Sequence, residues 1–343
     1  MPVNILITSA GSTNGVNVIK ALQKEIDWQK KWDKDVNPKY RVDMNLITAD
    51  ADHLASGLYM TEKHYVIPRA DDKKFIPALL KICKKEKVDI LLPILSYELP
   101  VIAKNKKKFA EIGVKMAVSK YEVYRKTENK VETNSFFKKN NVPHPKTYIE
   151  YWNNFTSYKH KLKFPAIIKP IKDTSGSKNV HKINDKAELD FYRKRVPESI
   201  VQEYIEGQEY TIDGLCNLRG KMLYALPRKR LEVRDGMAVK GITAYDKKLI
   251  DYTRRIVEGL KLVGAFNVQC IKRGQKIWFI EVNNRFGSGG LPLAVGAGLN
   301  IPMDIVRMLS GKKVPPFRDK KPWIYDKIIM TRYQDAIIIK KKI

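Results

Sequence analysis

Residues 281–290, EVNNRFGSGG, place a carboxylate, two amides, a guanidinium and a run of bare backbone directly after the apolar QKIWFI. On an extended chain Glu281 and Asn283 lie two apart, so their side chains share a face. KRGQK (Lys272–Lys276) reads as a hairpin turn, and from across that hairpin Gln269 of GAFNVQCI can reach the same face. Three oxygen-bearing side chains without a nearby histidine suit Mg²⁺ and argue against zinc. Mg²⁺ needs few protein ligands when phosphates supply the others. A polar sheet face open to water would account for each residue singly, but not for Arg285 and the glycines that follow. Lys169 closes the strand FPAIIKP beside DTSGSK, an arrangement that can hold and then cover a polyphosphate, although no GxxxxGK[ST] loop is present. In EYIEGQEY, Glu203 and Glu209 flank Gly207. Edge backbone there could hydrogen-bond an adenine and a following carboxylate could take ribose hydroxyls, or these residues could simply be surface polarity.

The elements that must carry these groups fall into two kinds. VNILITSAG, RVDMNLITAD, HYVIPRA and DILLPILS read as strands, separated by helical patterns at NGVNVIKALQKE and KKFIPALLKICKKEKV. That alternation predicts an open parallel sheet covered on both faces over about residues 1–115. SAGSTNG stands where dinucleotide-binding chains carry G-x-G-x-x-G, but its glycines, Gly11 and Gly15, are wrongly spaced. A helix follows from Asn129, stopping at Asn140–Asn141. Thereafter strands succeed one another with few helices, which indicates antiparallel sheet. The tail IYDKIIMTRYQDAIIIKKKI predicts two late strands, the outer one protected by terminal lysines.

The 343 residues suffice for two or three packed units. No apolar run approaches a membrane span, the N-terminus lacks the pattern of a signal peptide, and three widely spaced cysteines fit a reducing cytosol. The formal net charge of +28 invites a nucleic-acid reading. The lysines are nevertheless dispersed, and the densest clusters, KNKKK (Lys104–Lys108) and KKK (Lys340–Lys342), carry no interleaved aromatics. A solvated basic surface accounts for them; it should attract small anions and bind nucleic acid only weakly and without sequence preference.

Taken in order, NKVETNSFFKKNNVPHPKT, FPAIIKPIKDTSGSKNV, VQEYIEGQEYTID and GAFNVQC…IWFIEVNNRFGSGGLPLAVGAGLNIP resemble the ATP-grasp superfamily, most closely its carbamoyl-phosphate-synthetase-like branch. The resemblance covers nearly the whole chain. It implies an α/β chain: a Rossmann-like pre-ATP-grasp domain (1–115), a linker helix with a small nucleotide-covering subdomain (116–200), and a C-terminal subdomain holding metal and acceptor (201–343), the last two forming an α+β fold with antiparallel sheets. By position, Lys130 and Lys169 match the family's basic phosphate contacts. Ser175, Gly176 and Ser177 match its closing loop, though with one glycine where many members have several. Glu203, Tyr204 and Ile205 match the adenine hinge, Glu209 the ribose acid, Gln269, Glu281 and Asn283 the magnesium ligands, and Arg285 the arginine at the transferring phosphoryl group.

The resemblance implies ATP and Mg²⁺ as cofactors, with Mn²⁺ as a substitute, and a cytoplasmic ligase joining a carboxylate to an amine or ammonia through an acyl phosphate. Lys169 and Arg285 would be its catalytic groups, and a homodimer is one form to expect. The chain is a single copy, and FGSGG replaces the QVEH that marks biotin carboxylases. LPRKRLEVRDGMAVKG adds Arg228, Arg230, Arg234 and Lys240. The three arginines share a face if the strand is regular, and could grip an acidic substrate or form a solvated basic strand. Ser288, Gly289 and Gly290 offer backbone amides beside Arg285 as a seat for a carboxylate. A nucleotide binder without catalysis is the alternative, with a basic nucleic-acid-binding protein behind it.

Overall fold

The computed structural model describes residues 1–32, 37–149, 162–172, 178–315 and 327–339. The expected Ser175–Ser177 loop and Lys340–Lys342 lie outside them.

The N-terminal region alternates strand and helix as expected. β1 (Val3–Ile7), β2 (Met44–Asp50), β3 (Lys63–Val66) and β4 (Ile90–Leu92) form a parallel sheet of order β3-β2-β1-β4. α1 (Thr13–Lys31) starts at Ser12, whose hydroxyl accepts from the Gly15 amide, and buries Val18, Ile19 and Leu22 against Ile5 and Ile7. α2 (Phe75–Lys85), α3 (Leu99–Lys104) and α4 (Lys106–Ala110) cover the other face, where Leu79, Ile102 and Phe109 meet Leu6 and Ile47. Each such side chain contributes roughly 1.5–3 kcal/mol by leaving water. DILLPILS is strand only as far as Leu92; from Pro93 the chain turns and then enters α3.

α5 (Tyr121–Glu128) and α6 (Lys130–Lys139) follow. Asn129 caps α6 by accepting from the amides of Val131 and Glu132. A small antiparallel sheet of order β5-β8-β6-β7 is built from β5 (Thr147–Ile149), β6 (Ala166–Pro170), β7 (His181–Ile183) and β8 (Ser199–Glu203). α7 (Lys186–Arg195) covers it through Leu189.

The larger sheet is antiparallel throughout, of order β13-β12-β9-β10-β11-β14. Its strands are β9 (Gln208–Cys216), β10 (Met222–Arg234), β11 (Met237–Thr243), β12 (Gly264–Arg273), β13 (Lys276–Asn283) and β14 (Ile329–Thr331). One face packs on α8 (Lys247–Leu260) through Ile212, Phe266, Val268 and Phe279. The other face changes character along the strands. Leu215, Tyr224, Leu226 and Ala265 join the core shared with α1, whereas farther along their strands polar side chains take over. α9 (Leu291–Gly296) and α10 (Ile301–Leu309) complete that shared core. It is pinned by Arg307, which binds Asp304 at 2.9 Å and Glu25 of α1 at 2.6 Å, while Tyr224 donates to Asp304 at 2.7 Å.

Only one of the two expected late strands is present among the described residues. β14 pairs with β11, but residues 332–339 run without a ladder partner. Among the described residues no helix is long and apolar enough to cross a membrane.

Candidate functional site

The hairpin β12–β13 brings the opening residues together. Gln269 stands directly opposite Glu281, and Asn267 opposite Asn283. Cys270 pairs with Phe279, so Ile280 is an extra residue on β13. That bulge lets Phe279 and Val282 both face the α8 core while Glu281 and Asn283 face away from it. Asn283 is buried and donates to Asn267 Oδ1 at 3.2 Å; Asn267 in turn donates to the Arg285 carbonyl at 3.2 Å.

The polar face continues across the sheet. Thr211 lies beside Gln269 and Asp213 beside Asn267, and Arg228 pairs with Thr211 from the far side. Asn267, Thr211 and Asp213 could have been found from sequence, because each has the parity of Gln269 or Glu209 on its own strand.

A cleft of about 740 Å³ separates this face from the small sheet. Lys130, Lys169, Glu203, Tyr204, Ile205, Glu209, Gln269, Glu281 and Arg285 all line it, together with Arg230 and apolar Ile167, Val180, Ile271 and Ile280. The junction of α6 and β6 positions the two lysines. The Lys130 amide donates to the Ile171 carbonyl at 2.9 Å, and Asn129 bridges to Lys172. Lys169 is 8% exposed and forms no hydrogen bond or ion pair with a described residue. Burial pushes its ammonium down to about pKa 8. The charge of Lys130 adds to that fall and Glu281 opposes it.

At the other end of the cleft, Glu203 Oε1 accepts from the Lys146 amide at 2.9 Å, so its carboxylate serves the loop before β5. Glu203 and Ile205 both border the cleft. Glu209 is half exposed and bound at 3.0 Å to Arg230, which also donates to the Gly236 carbonyl at 2.7 Å.

The basic strand is not regular, and this separates the expected arginines. Register shifts fall between Arg230 and Glu232 and between Glu232 and Val233. Only Arg230 enters the cleft. Arg228 is buried against Asp213 at 2.6 Å, while Arg234 and Lys240 are exposed and both bind Glu232 at 2.7 Å. A shared grip by the three does not form: Asp213 holds Arg228 in the core, and the bulged end of the strand leaves Arg234 in solvent.

Ser288, Gly289 and Gly290 likewise lie outside the cleft lining. A Cβ at Gly290 would overlap Asp213 and Arg228, and one at Gly289 would come within 2.7 Å of the Ala238 amide nitrogen. These glycines allow close packing over the ion pair. Ser288 holds the loop: its carbonyl accepts from Arg332 at 2.9 Å and from Asn17 at 3.4 Å. Arg285 is fixed from the N-terminal region, donating through Nε to Ser96 Oγ at 2.8 Å and through Nη1 to the Phe286 carbonyl at 3.0 Å. Ser96, Asn17 and Arg332 carried no local signal in the sequence.

Cys83, Cys216 and Cys270 are buried, and burial raises each thiol, the first two to about 12; none lines the cleft.

A parallel α/β domain is followed by two antiparallel sheets that face one another across a cleft, with Lys169 on one and oxygen donors on the other. Residues 195–328 match the family described as ATP-grasp in the biosynthetic pathway with Ter operon, and residues 5–117 match the PylC-like N-terminal domain. The chain thus carries an ATP-grasp domain behind a PylC-like N-terminal domain.

Among curated proteins it is similar to the carbamoyl phosphate synthase large chain of Thermoanaerobacter sp. (strain X514), 24% identical over 217 residues, 59% of this chain. The match spans 20% of that relative's length. Among solved structures it resembles N5-carboxyaminoimidazole synthetase from Staphylococcus aureus in complex with ADP, with TM-score 0.72 and 14% identity over 92% of this chain and 79% of that one. It also resembles an L-amino acid ligase from Bacillus licheniformis, with TM-score 0.67 and 15% identity over 91% and 76% of the two chains.

Proposed function

We propose that this protein is an ATP-dependent ligase that joins a carboxylate to an amine or ammonia, releasing ADP and phosphate. The observation that carries the reading is Lys169. A buried ammonium that forms no ion pair with a described residue, and lines a cleft with Glu281 and Gln269, is costly unless an anion such as a polyphosphate enters. The S. aureus synthetase solved with ADP and the B. licheniformis ligase support it through their shared fold.

The donor set fits magnesium. Glu281 would supply one carboxylate and Gln269 an amide oxygen from the cleft lining, with Asn283 on the same strand face but buried behind it, leaving further positions to phosphate and water. When bound, the metal supplies charge neutralisation of the triphosphate. Lys130 and Lys169 hold the phosphates, and Ile167, Val180, Ile271 and Ile280 offer apolar contact to a base beside the backbone of Glu203 and Ile205. Glu209 is the acid available for ribose hydroxyls. A substrate carboxylate oxygen attacks the γ-phosphorus, and the bond from that phosphorus to the β–γ bridging oxygen breaks. Arg285, oriented by Ser96, stabilises the charge on the phosphoryl oxygens. The amine nitrogen then attacks the acyl carbon, phosphate leaves, and the nitrogen loses a proton.

The test is thermal denaturation with Mg-ADP or Mg-ATP, against NADH and single-stranded RNA, on wild type and Glu281→Ala. A ligand at 100 times its Kd adds roughly 2.7 kcal/mol. A rise with Mg-nucleotide alone, lost in Glu281→Ala, supports the site, and carboxylate–amine pairs are then screened for ADP release. A rise with NADH or RNA and none with Mg-nucleotide overturns it.

A further inference from the structure

A second hollow, of about 390 Å³, lies apart from the cleft, where α3 and α4 meet the start of α5. Lys104, Lys106 and Lys120 line it with Ser119, Tyr121 and Glu122. Lys104 ends α3, Lys106 opens α4, and Lys120 immediately precedes α5, so three separate elements each contribute a lysine to the lining. Lys107 and Lys108 of the same run do not line it.

All three lysines are exposed, and two of the ammonium groups are held in place. Lys106 Nζ reaches back to donate to the Val118 carbonyl at 3.1 Å, and partial burial lowers its pKa. Lys104 Nζ sits 4.2 Å from the centroid of the Tyr121 ring. None of the three is ion-paired to a described carboxylate, Glu122 included. Three lysines against the single carboxylate of Glu122 give the hollow a net positive lining that attracts an anion. α5 begins at the rim with no side chain capping it, which adds first-turn amides and a partial positive charge. The floor is rigid: Ser119 Oγ accepts from the Val263 amide at 2.8 Å and from Asn284 at 2.6 Å, between Asn283 and Arg285 in sequence.

We propose that this hollow binds a small phosphorylated molecule, at a site distinct from the nucleotide cleft. Lysines from three elements, with the start of α5 beside them, suit the several oxygens of a phosphoryl group better than a single carboxylate. A hollow of this size fits a small molecule, whereas a nucleic-acid backbone needs a continuous basic track.

The experiment is calorimetric titration of the full chain with inorganic phosphate and with ribose 5-phosphate, in saturating Mg-ADP so that the cleft is filled. Three proteins are compared: wild type, Lys104→Glu/Lys120→Glu, and Lys30→Glu/Lys31→Glu. The last changes net charge equally on α1, which packs on the opposite face of the parallel sheet. We expect saturable binding to wild type, weakened about tenfold or more by the first pair and little changed by the second. Equal affinity for both probes assigns recognition to the phosphoryl group alone; tighter binding of the ester shows that the hollow also reads the rest of the molecule. Equal weakening in both variants, no saturable binding, or binding of a short RNA that phosphate does not displace overturns the proposal. The comparison of variants holds whether or not Mg-ADP binds, so failure here is separable from failure of the nucleotide reading.

Discussion

Arg230 Nη1 lies 3.0 Å from Glu209 Oε2, and the same nitrogen lies 3.3 Å from Gln269 Oε1. One guanidinium thus ties the acid proposed for ribose to an amide proposed for metal. Glu209→Gln removes the ion pair and the ribose acceptor together. Because Glu209 is 45% exposed, the stability loss should stay near about 1 kcal/mol. Mg-ADP affinity should fall about tenfold. Mg-tripolyphosphate, which has no ribose, should bind as before; an equal loss for both ligands would assign Glu209 to the phosphates instead.

Lys169 should make the protein less stable and nucleotide binding pH-dependent. Its folded pKa of about 8 is below the ordinary 10.5, so between those values the unfolded chain holds a proton that the folded chain has released. Stability from this group therefore rises with pH through that window, and below about 8 the burial cost is present in full. Lys169→Met should raise stability at pH 7 by on the order of 2 kcal/mol while abolishing Mg-ADP binding. Phosphate favours the charged amine, so wild-type affinity for Mg-ADP should decline as pH rises above about 8, with proton uptake visible in buffers of different ionisation enthalpy. A flat affinity profile from pH 7 to pH 9 would contradict this.

The Arg228–Asp213 pair is structural. Both residues are almost fully buried, and Arg228 Nη1 and Asp213 Oδ1 lack hydrogen-bond partners. Asp213→Ala leaves an uncompensated buried cation and should cost ~3–5 kcal/mol in chemical denaturation. Asp213→Leu/Arg228→Met should be appreciably more stable than that single variant. Gly290→Ala, which drives a methyl group into the pair, should destabilise as well.

Ser96 positions Arg285 from a different part of the chain. Ser96→Ala removes the acceptor for Arg285 Nε but leaves its contact with the Phe286 carbonyl. Under the proposed mechanism kcat should fall about tenfold with the KM for ATP little changed, since the lost orientation matters to the moving phosphoryl group. Ser96→Thr, which keeps the hydroxyl, should restore most of it. A matched rise in KM without a change in kcat would show that Arg285 acts in binding alone.

What the sequence determined by itself were properties that follow from neighbours along the chain. Alternating strand and helix in the first third, the period-two face of Glu281 and Asn283, the hairpin that aligns Gln269, and the strand end at Lys169 are all local patterns; Lys169, Gln269 and Glu281 line one cleft, whereas Asn283 is buried against Asn267 outside its lining. Tertiary structure alone decided which charges are available. Arg228, Arg230 and Arg234 look equivalent in sequence, yet a bulge and a buried aspartate leave one in the cleft, one in the core and one in solvent. The glycines of FGSGG read as a ligand seat until Asp213 and Arg228 are seen packed beneath them. Ser96 and Arg332 reach the site across 189 and 44 residues of chain, and the lysine hollow is assembled from the ends of three helices. Such contacts depend on how elements dock, and docking is set by long-range burial that no short window of sequence contains.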